Sequence, residues 1–270
     1  MVVLIFFLLS AAGSVVYAAV SQGVNGIADI WKPLLFCLCG FIGLVVLYLL
    51  VAAVFSLLID RNRPLRKRIG ICSLFCYMAG SIVCSVMRIR PHLSGMEKIP
   101  TDRRFLLVCN HRSGYDPLFM LAILRKYDLA FVSKPSNMAI PVVGPIAYGS
   151  GCLSINRENN REALKTILAA SEYLQKDMCS MCIFPEGTRS KTGDLGPFHA
   201  GSFKIAQKAK SPVVIASIRG TEKVKKGLLK SRTDVYFDIL DVIPAETVSG
   251  SKTVEIAEYS RNRILSALGH

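Results

Sequence analysis

The sequence predicts an α/β domain, built on a mostly parallel mixed sheet covered by helices and preceded by an α-helical membrane anchor. Three observations carry that reading. From residue 88 onward, short apolar runs alternate with longer stretches of helical periodicity, the pattern of a sheet with helices on both faces. Ahead of it lie two uncharged apolar stretches, 1–20 and 33–59, each long enough to cross a bilayer. Before Arg61 the only charged side chains are Asp29, Lys32 and Asp60, so almost all of the formal net charge of +14 falls on the remainder.

The stretch 1–20 ends near the small residues Ala18 and Ala19, yet it lacks the basic start of a signal peptide and reads as a retained helix. Residues 21–32 form a short, nearly neutral loop with Gly23, Asn25 and Gly26 as turn formers. The stretch 33–59 is the strongest candidate span, and Arg61, Arg63, Arg66, Lys67 and Arg68 follow at once. Such an excess marks the cytoplasmic side, so the expected topology is a hairpin in the cell membrane with both ends in the cytoplasm. Residues 69–87 are uncharged between basic flanks. A third crossing would export the basic domain, so this stretch is expected to lie in the inner interface, beneath the sheet domain. The expected organisation is a transmembrane hairpin at 1–60, a basic linker and interfacial helix at 61–87, and a cytoplasmic domain at 88–270.

A basic excess suits nucleic acid or an anionic membrane surface. Nothing here resembles a nucleic-acid module and the anchor places the chain at a bilayer, so membrane lipids are the expected partners, with no nucleic acid. The nine cysteines do not form a disulfide framework. Cys37, Cys39, Cys72, Cys76 and Cys84 lie in the apolar segments, and Cys109, Cys152 and Cys182 in expected strands. Cys179 and Cys182 have zinc-site spacing without a second pair or a suitably spaced histidine. Reduced structural thiols are expected, with no metal and no cofactor.

Expected strands occupy 88–93, 105–109, 129–133, 152–155, 181–184, 212–218 and 235–240; expected helices occupy 117–125, 141–148, 160–176, 200–208 and 251–268. The chain is organised around Val108-Cys109-Asn110-His111-Arg112-Ser113-Gly114-Tyr115-Asp116-Pro117. Asn110 ends a buried strand by bonding its own backbone in a turn, which puts His111 just past the carboxyl end, where open α/β sheets collect ligands. Pro117 suits the first turn of the next helix, with Asp116 as its N-cap. The loop is short enough for Asp116 to fold back on the imidazole, fixing its tautomer and leaving the other nitrogen as a base. Alone, such a pair reads more readily as a cap and a turn than as catalytic machinery.

Two further strand ends carry similar blocks. Ile183-Phe184-Pro185-Glu186-Gly187-Thr188-Arg189-Ser190 offers a glycine for close approach, a guanidinium fork that matches phosphate, and a glutamate that either accepts from substrate or holds an arginine. Gly151-Cys152-Leu153-Ser154-Ile155-Asn156-Arg157 ends with an arginine that, alone, reads as a solvated residue at a helix start. His92 and His199 read as surface histidines, since neither has a carboxylate at a short offset in a post-strand loop.

His111-x4-Asp116, Gly151-x3-Ile155-x-Arg157 and Phe184–Arg189, in that order, resemble the blocks of the glycerolipid acyltransferase family, and within it the 1-acylglycerol-3-phosphate acyltransferases. The likeness runs from about residue 88 to the end, and includes the stretch Phe198-His199-Ala200-Gly201-Ser202-Phe203-Lys204. Ser154 stands where the family usually has phenylalanine, and Ala216 where a second proline is common.

The resemblance implies transfer of a fatty acyl group from an acyl carrier protein or coenzyme A thioester to the sn-2 hydroxyl of lysophosphatidic acid, giving phosphatidic acid in phospholipid synthesis. It implies His111 as base, Asp116 as its orienter, and Lys134, Arg157, Glu186, Gly187, Thr188 and Arg189 as substrate-binding residues, with the two arginines on the phosphate. Backbone N–H groups near Gly187 or His111 are the expected oxyanion donors. Other acceptors (glycerol 3-phosphate, a lyso-aminolipid or another lysolipid) and a non-catalytic membrane scaffold are the alternatives. A hydrolase is disfavoured, because no Gly-x-Ser-x-Gly elbow is present.

Overall fold

The computed structural model of the chain describes residues 2–21, 29–190, 194–224 and 232–269. The turn formers expected at 23, 25 and 26 lie outside the described residues. Two compact units, Met1–Ile59 and Asp60–His270, divide the chain.

The first unit is a helix pair. α1 (Val2–Val20) runs antiparallel to α2 (Trp31–Leu57): Ser14 Oγ donates to Pro33 O at 2.7 Å, Tyr17 stacks on Phe36 at 4.9 Å, and Ser10 lies against Gly40. Both helices are long and apolar enough to cross a membrane, and both expose leucine, valine and phenylalanine side chains.

The second unit begins with α3 (Gly70–Val86) and β1 (Ile89–Ser94), followed by β2 (Leu106–Cys109), α4 (Asp116–Ile123), β3 (Leu129–Ser133), α5 (Pro135–Met138), α6 (Val143–Gly149) and β4 (Leu153–Ser154). Then come α7 (Asn160–Gln175), β5 (Ser180–Ile183), α8 (Lys204–Ala209), β6 (Val213–Arg219), β7 (Thr233–Ile243), α9 (Ala245–Gly250) and α10 (Thr253–Leu268). Among the described residues the strands form one seven-stranded sheet in the order β1-β7-β6-β2-β5-β3-β4. The run from β6 to β4 is parallel; β7 reverses against β6, and β1 lies parallel to β7. The sheet is therefore mixed and mostly parallel, as the alternating pattern predicts.

Every residue of β2 and β5 is buried, and β6 is buried through Ile218. Successive strand side chains point to opposite faces, so both faces of the central sheet are covered. Helix α3 packs on α4 and α6, α7 on α8 and β5, and α10 on β6 and β7. Gly80 lets α3 approach closely, since a Cβ there would lie 2.4 Å from the carbonyl oxygen of Leu118 in α4.

The expected strands all appear, with 152–155 shortened to β4 and 235–240 lengthened to β7. The helices differ more. α5 and α9 are additional, each starting at or just after a proline (Pro135, Pro244). The helix expected over 200–208 is a 3₁₀ turn, Ala200–Phe203, leading into α8.

Candidate active site

The parallel strands β2, β5, β6 and β4 send the loops after their carboxyl ends to one edge of the sheet. Asn110 fixes the first of these. Its Nδ2 donates to Ile218 O at 3.0 Å and its Oδ1 accepts from Ile218 N at 2.8 Å, clamping the end of β2 to β6. This corrects the turn expected within its own backbone: the open edge of β6 presents both a donor and an acceptor at the right register.

The next correction concerns Asp116. It is the first residue of α4 rather than its N-cap; Tyr115 holds that position without a side-chain cap. The carboxylate instead serves the preceding loop. Its Oδ2 accepts from His111 Nδ1 at 2.7 Å, Arg112 N at 2.7 Å and Ser113 N at 2.9 Å. Two peptide donors and full burial fix that oxygen before the imidazole reaches it. Because a carboxylate only accepts, His111 Nδ1 carries hydrogen and the lone pair of the neutral ring lies on Nε2. Phe184 stacks on the imidazole, with centroids 4.1 Å apart and planes inclined by 13°. The sequence places Phe184 at the end of an expected strand and at the head of the Phe184–Arg189 block, and neither feature signals this stacking.

Glu186 draws the second loop onto the first. Oε1 accepts from His111 N at 2.7 Å and Oε2 from Gly196 N at 3.1 Å. Burial raises its pKa, while these two bonds and the nearby His111 and Arg112 act against the rise. It holds no arginine in an ion pair among the described residues, so that reading of Glu186 is set aside.

Gly187 has φ of +78°, and a Cβ there would lie 1.7 Å from Arg157 Nη1 and 3.1 Å from His199 Nε2. Only glycine leaves room for that guanidinium. Arg157 Nη2 donates to Phe184 O at 3.2 Å. Its Nη1 is buried without a hydrogen-bond partner among the described residues, and burial pulls the pKa of the group down. The solvated arginine read from the sequence is thus a half-buried one with a donor unspent. His199 is exposed but sits at the rim, because its N–H donates to Pro185 O at 2.9 Å.

Arg189 is exposed and lies over Gly114, where a Cβ would be 3.5 Å from Nη1. Thr188 is exposed beside it, and Lys134 is exposed beyond β3, its side chain outside this cluster of contacts. The N–H groups of His111 and Gly187 are already donated, to Glu186 and to Phe184 O, which removes both from the expected oxyanion donors. His92 lies away on β1, with Nε2 2.7 Å from Asp234. All nine cysteines are free thiols, and burial raises those of Cys109 and Cys182 well above their usual pKa.

A family profile described as acyltransferase matches residues 90–219. A chloroplastic 1-acyl-sn-glycerol-3-phosphate acyltransferase from Brassica napus is 31% identical over 247 residues, covering 88% of this chain and 67% of that protein. The chain belongs to the acyltransferase family of these 1-acyl-sn-glycerol-3-phosphate enzymes. The Saccharomyces cerevisiae 1-acyl-sn-glycerol-3-phosphate acyltransferase is 30% identical over 169 residues, which make up 61% of this acyltransferase but only 55% of the yeast protein. A crystal structure of the 1-acyl-sn-glycerophosphate acyltransferase from Thermotoga maritima has the same fold, with a TM-score of 0.61 and 24% identity over 83% of this chain and 93% of that one. The acyltransferase therefore gathers an oriented imidazole, a partly spent guanidinium and an exposed one along one sheet edge, an arrangement able to take a proton beside a bound anion.

Proposed function

We propose that this acyltransferase moves a fatty acyl group from a thioester to the sn-2 hydroxyl of 1-acyl-glycerol 3-phosphate, giving phosphatidic acid. One observation carries the reading: Arg157 Nη1 is buried and has no hydrogen-bond partner among the described residues, while the carbonyl that takes its Nη2 belongs to Phe184, whose ring lies on His111. A phosphate monoester on Arg157 would satisfy that donor and hold the glycerol beside the imidazole.

His111 Nε2 takes the proton of the acceptor hydroxyl as its oxygen attacks the thioester carbonyl, and Asp116 stabilises the imidazolium. The tetrahedral intermediate collapses with loss of the thiolate, which takes the proton from His111. The acceptor is itself the nucleophile, so no acyl-enzyme is needed, in keeping with the raised thiols of Cys109 and Cys182. Arg189 closes on the phosphate from the solvent side, and Lys134 adds positive charge at the same edge. Thr188 and Arg189 supply the oxyanion N–H groups; Glu186 and Gly187 shape the loop that presents them. The donor is an acyl carrier protein or coenzyme A thioester. Residues 1–60 anchor the enzyme in the cell membrane, the linker and α3 (61–87) lie at the inner interface, and the basic run after α2 keeps the domain at 88–270 in the cytoplasm, where it meets its lipid substrate.

The test is an assay of the full-length protein in membranes. It uses labelled acyl carrier protein and coenzyme A donors, with lysophosphatidate, glycerol 3-phosphate and lysophosphatidylcholine as acceptors. Label should enter phosphatidic acid from lysophosphatidate and fall by about 10²–10⁴-fold in His111→Ala. Undiminished turnover by that variant, or preference for another acceptor, would overturn the reading.

A further inference from the structure

A second concave site lies on the opposite edge of the sheet from His111. Its walls come from the segments that lead into β2, β3 and β5 (Arg104, Asp128, Asp177) and from the linker and first turns of α3, and it is an open depression of about 710 Å³. That volume falls in the range that encloses small ligands. Six cations line it (Arg66, Lys67, Arg68, Arg104, Arg125 and Lys176) against two carboxylates.

The ion pairs divide these charges unequally. Arg68 and Arg104 both reach Asp128, at 2.7 and 3.2 Å, and Arg104 also reaches Asp177 at 2.8 Å, so both carboxylates are committed to the wall. Arg68 further donates to Ser73 Oγ, Tyr77 Oη and Ser150 O, which makes it a strut rather than a receptor. Arg66, Lys67 and Arg125 have no ion pair among the described residues, and Lys176 has only its surface neighbour Glu172. Arg125 is held over the Tyr77 ring at 5.8 Å. The cavity thus keeps a surplus of positive charge, since Asp128 and Asp177 are taken up by Arg68 and Arg104.

We propose that this cavity binds the phosphate head of an anionic phospholipid, at a site separate from the reaction centre. Two features select a lipid over a soluble anion. The basic wall begins at Arg66, nine residues past Leu57, the end of an apolar helix long enough to cross a membrane. Such juxtamembrane cations meet the anionic surface of a bilayer. Another wall is apolar: Leu74 is exposed on α3 beside Tyr77, giving an acyl chain a surface next to the charged pocket. The inference does not depend on the acyl-transfer chemistry, since among the described residues none of these side chains hydrogen-bonds or ion-pairs with the His111 loop or the Glu186 loop.

The experiment is native mass spectrometry of the full-length protein from a nonionic detergent, with dioleoylphosphatidylglycerol and dioleoylphosphatidylcholine as probes. Phosphatidylglycerol is chosen because it is not the proposed product. The wild type should retain phosphatidylglycerol in preference to phosphatidylcholine, and Arg125→Glu/Lys176→Glu should lower that retention about tenfold or more. The neutral pair Arg125→Gln/Lys176→Gln should lower it less, in the same direction, and serves if the reversal fails to fold. Lys165→Glu/Lys208→Glu, with the same change in net charge on exposed helix positions, should leave it unchanged. Equal loss in that control, or loss with Arg66→Glu/Lys67→Glu but not with either Arg125/Lys176 pair, would reduce the effect to general polybasic adhesion and overturn the proposal. Displacement of the lipid by millimolar inorganic phosphate would assign the cavity to a free anion. Capture of acyl carrier protein through Arg125 and Lys176, without lipid preference, would assign it to a protein. Either result overturns the proposal.

Discussion

The backbone N–H of His111 donates to Oε1 of Glu186 at 2.7 Å, so the loop that carries the imidazole is held by the carboxylate of the neighbouring loop. The other oxygen of Glu186 takes Gly196 N at 3.1 Å. Glu186→Ala leaves two peptide donors without acceptors in a partly buried setting, a loss of about 2–4 kcal/mol. Glu186→Gln keeps an acceptor oxygen for one of them and should cost less. Thermal unfolding of the two variants in detergent should rank them in that order, and equal stability of Ala and Gln would contradict the role given to both bonds.

The same carboxyl predicts a pH effect of definite sign. Burial raises the pKa of Glu186 in the folded enzyme, so the folded state binds this proton more tightly than the unfolded state. Its contribution therefore favours folding at low pH and is lost as pH rises from the unfolded value, about 4.3, through the folded one. The stability difference between wild type and Glu186→Gln should shrink from the wild-type side over that window and be flat above it. A difference that grows with pH there would reverse the sign and exclude desolvation as the governing effect.

Phe184 is predicted to act on the reaction through the imidazole plane. Its ring covers one face of His111 at 4.1 Å, while Asp116 pins Nδ1, so rotation about the Cβ–Cγ bond would break both contacts. Phe184→Leu keeps an apolar side chain but removes the flat contact. kcat should fall about 10- to 100-fold with little change in the KM for lysophosphatidate. A change confined to KM would instead place Phe184 in acceptor binding.

These residues differ in how far the sequence exposes them. The His111–Asp116 contact is legible because both partners lie in one short loop between a buried strand and a proline-started helix, so local turn geometry decides it. The clamp between Asn110 and Ile218 spans 108 positions and depends on β2 pairing with β6, which no local pattern specifies. Arg157 reads as solvated for the same reason: its burial is created by Phe184 and Gly187 of another loop. Phe184 is marked as the head of the Phe184–Arg189 block, but its stacking is not, since an aromatic residue before proline looks alike whether it lies on an imidazole or on a core methyl group.

The fold shows the same division. Strands β2, β3, β5 and β6 are legible because their apolar runs are buried on both faces, whereas α5 and α9 are not, being too short to show a helical period and marked only by Pro135 and Pro244. Sheet order follows from pairing between segments far apart in the chain, and the reversal of β7 against β6 has no signature within either strand.

Helix α3 offers a test of packing that leaves the chemistry alone. A methyl group on Gly80 would meet Leu118 O at 2.4 Å and Ala122 N at 3.2 Å, both backbone atoms of α4 or its end, so neither can swing aside. Gly80→Ala gains helix propensity but must push α3 away from α4, and overpacking of this kind costs about 1–3 kcal/mol. The midpoint of thermal unfolding should drop while KM for both substrates is retained. An unchanged or raised midpoint would mean that α3 does not lie this close to α4.

Gly187 joins backbone conformation to anion binding. Alanine there is strained at a φ of +78°, at a cost of about 1–2 kcal/mol, and its methyl group would occupy the place of Arg157 Nη1. The guanidinium is the flexible partner, so it moves, and with it goes the unpartnered donor assigned to the acceptor phosphate. Loss of a charge-assisted bond of this kind predicts a KM for lysophosphatidate raised about tenfold or more in Gly187→Ala, with His111 and its kcat less affected. Arg157→Ala should show the same KM change, and the double variant should be little worse than either single one, because both remove the same contact. Additive losses would show that Gly187 serves the acceptor by another route than making room for Arg157.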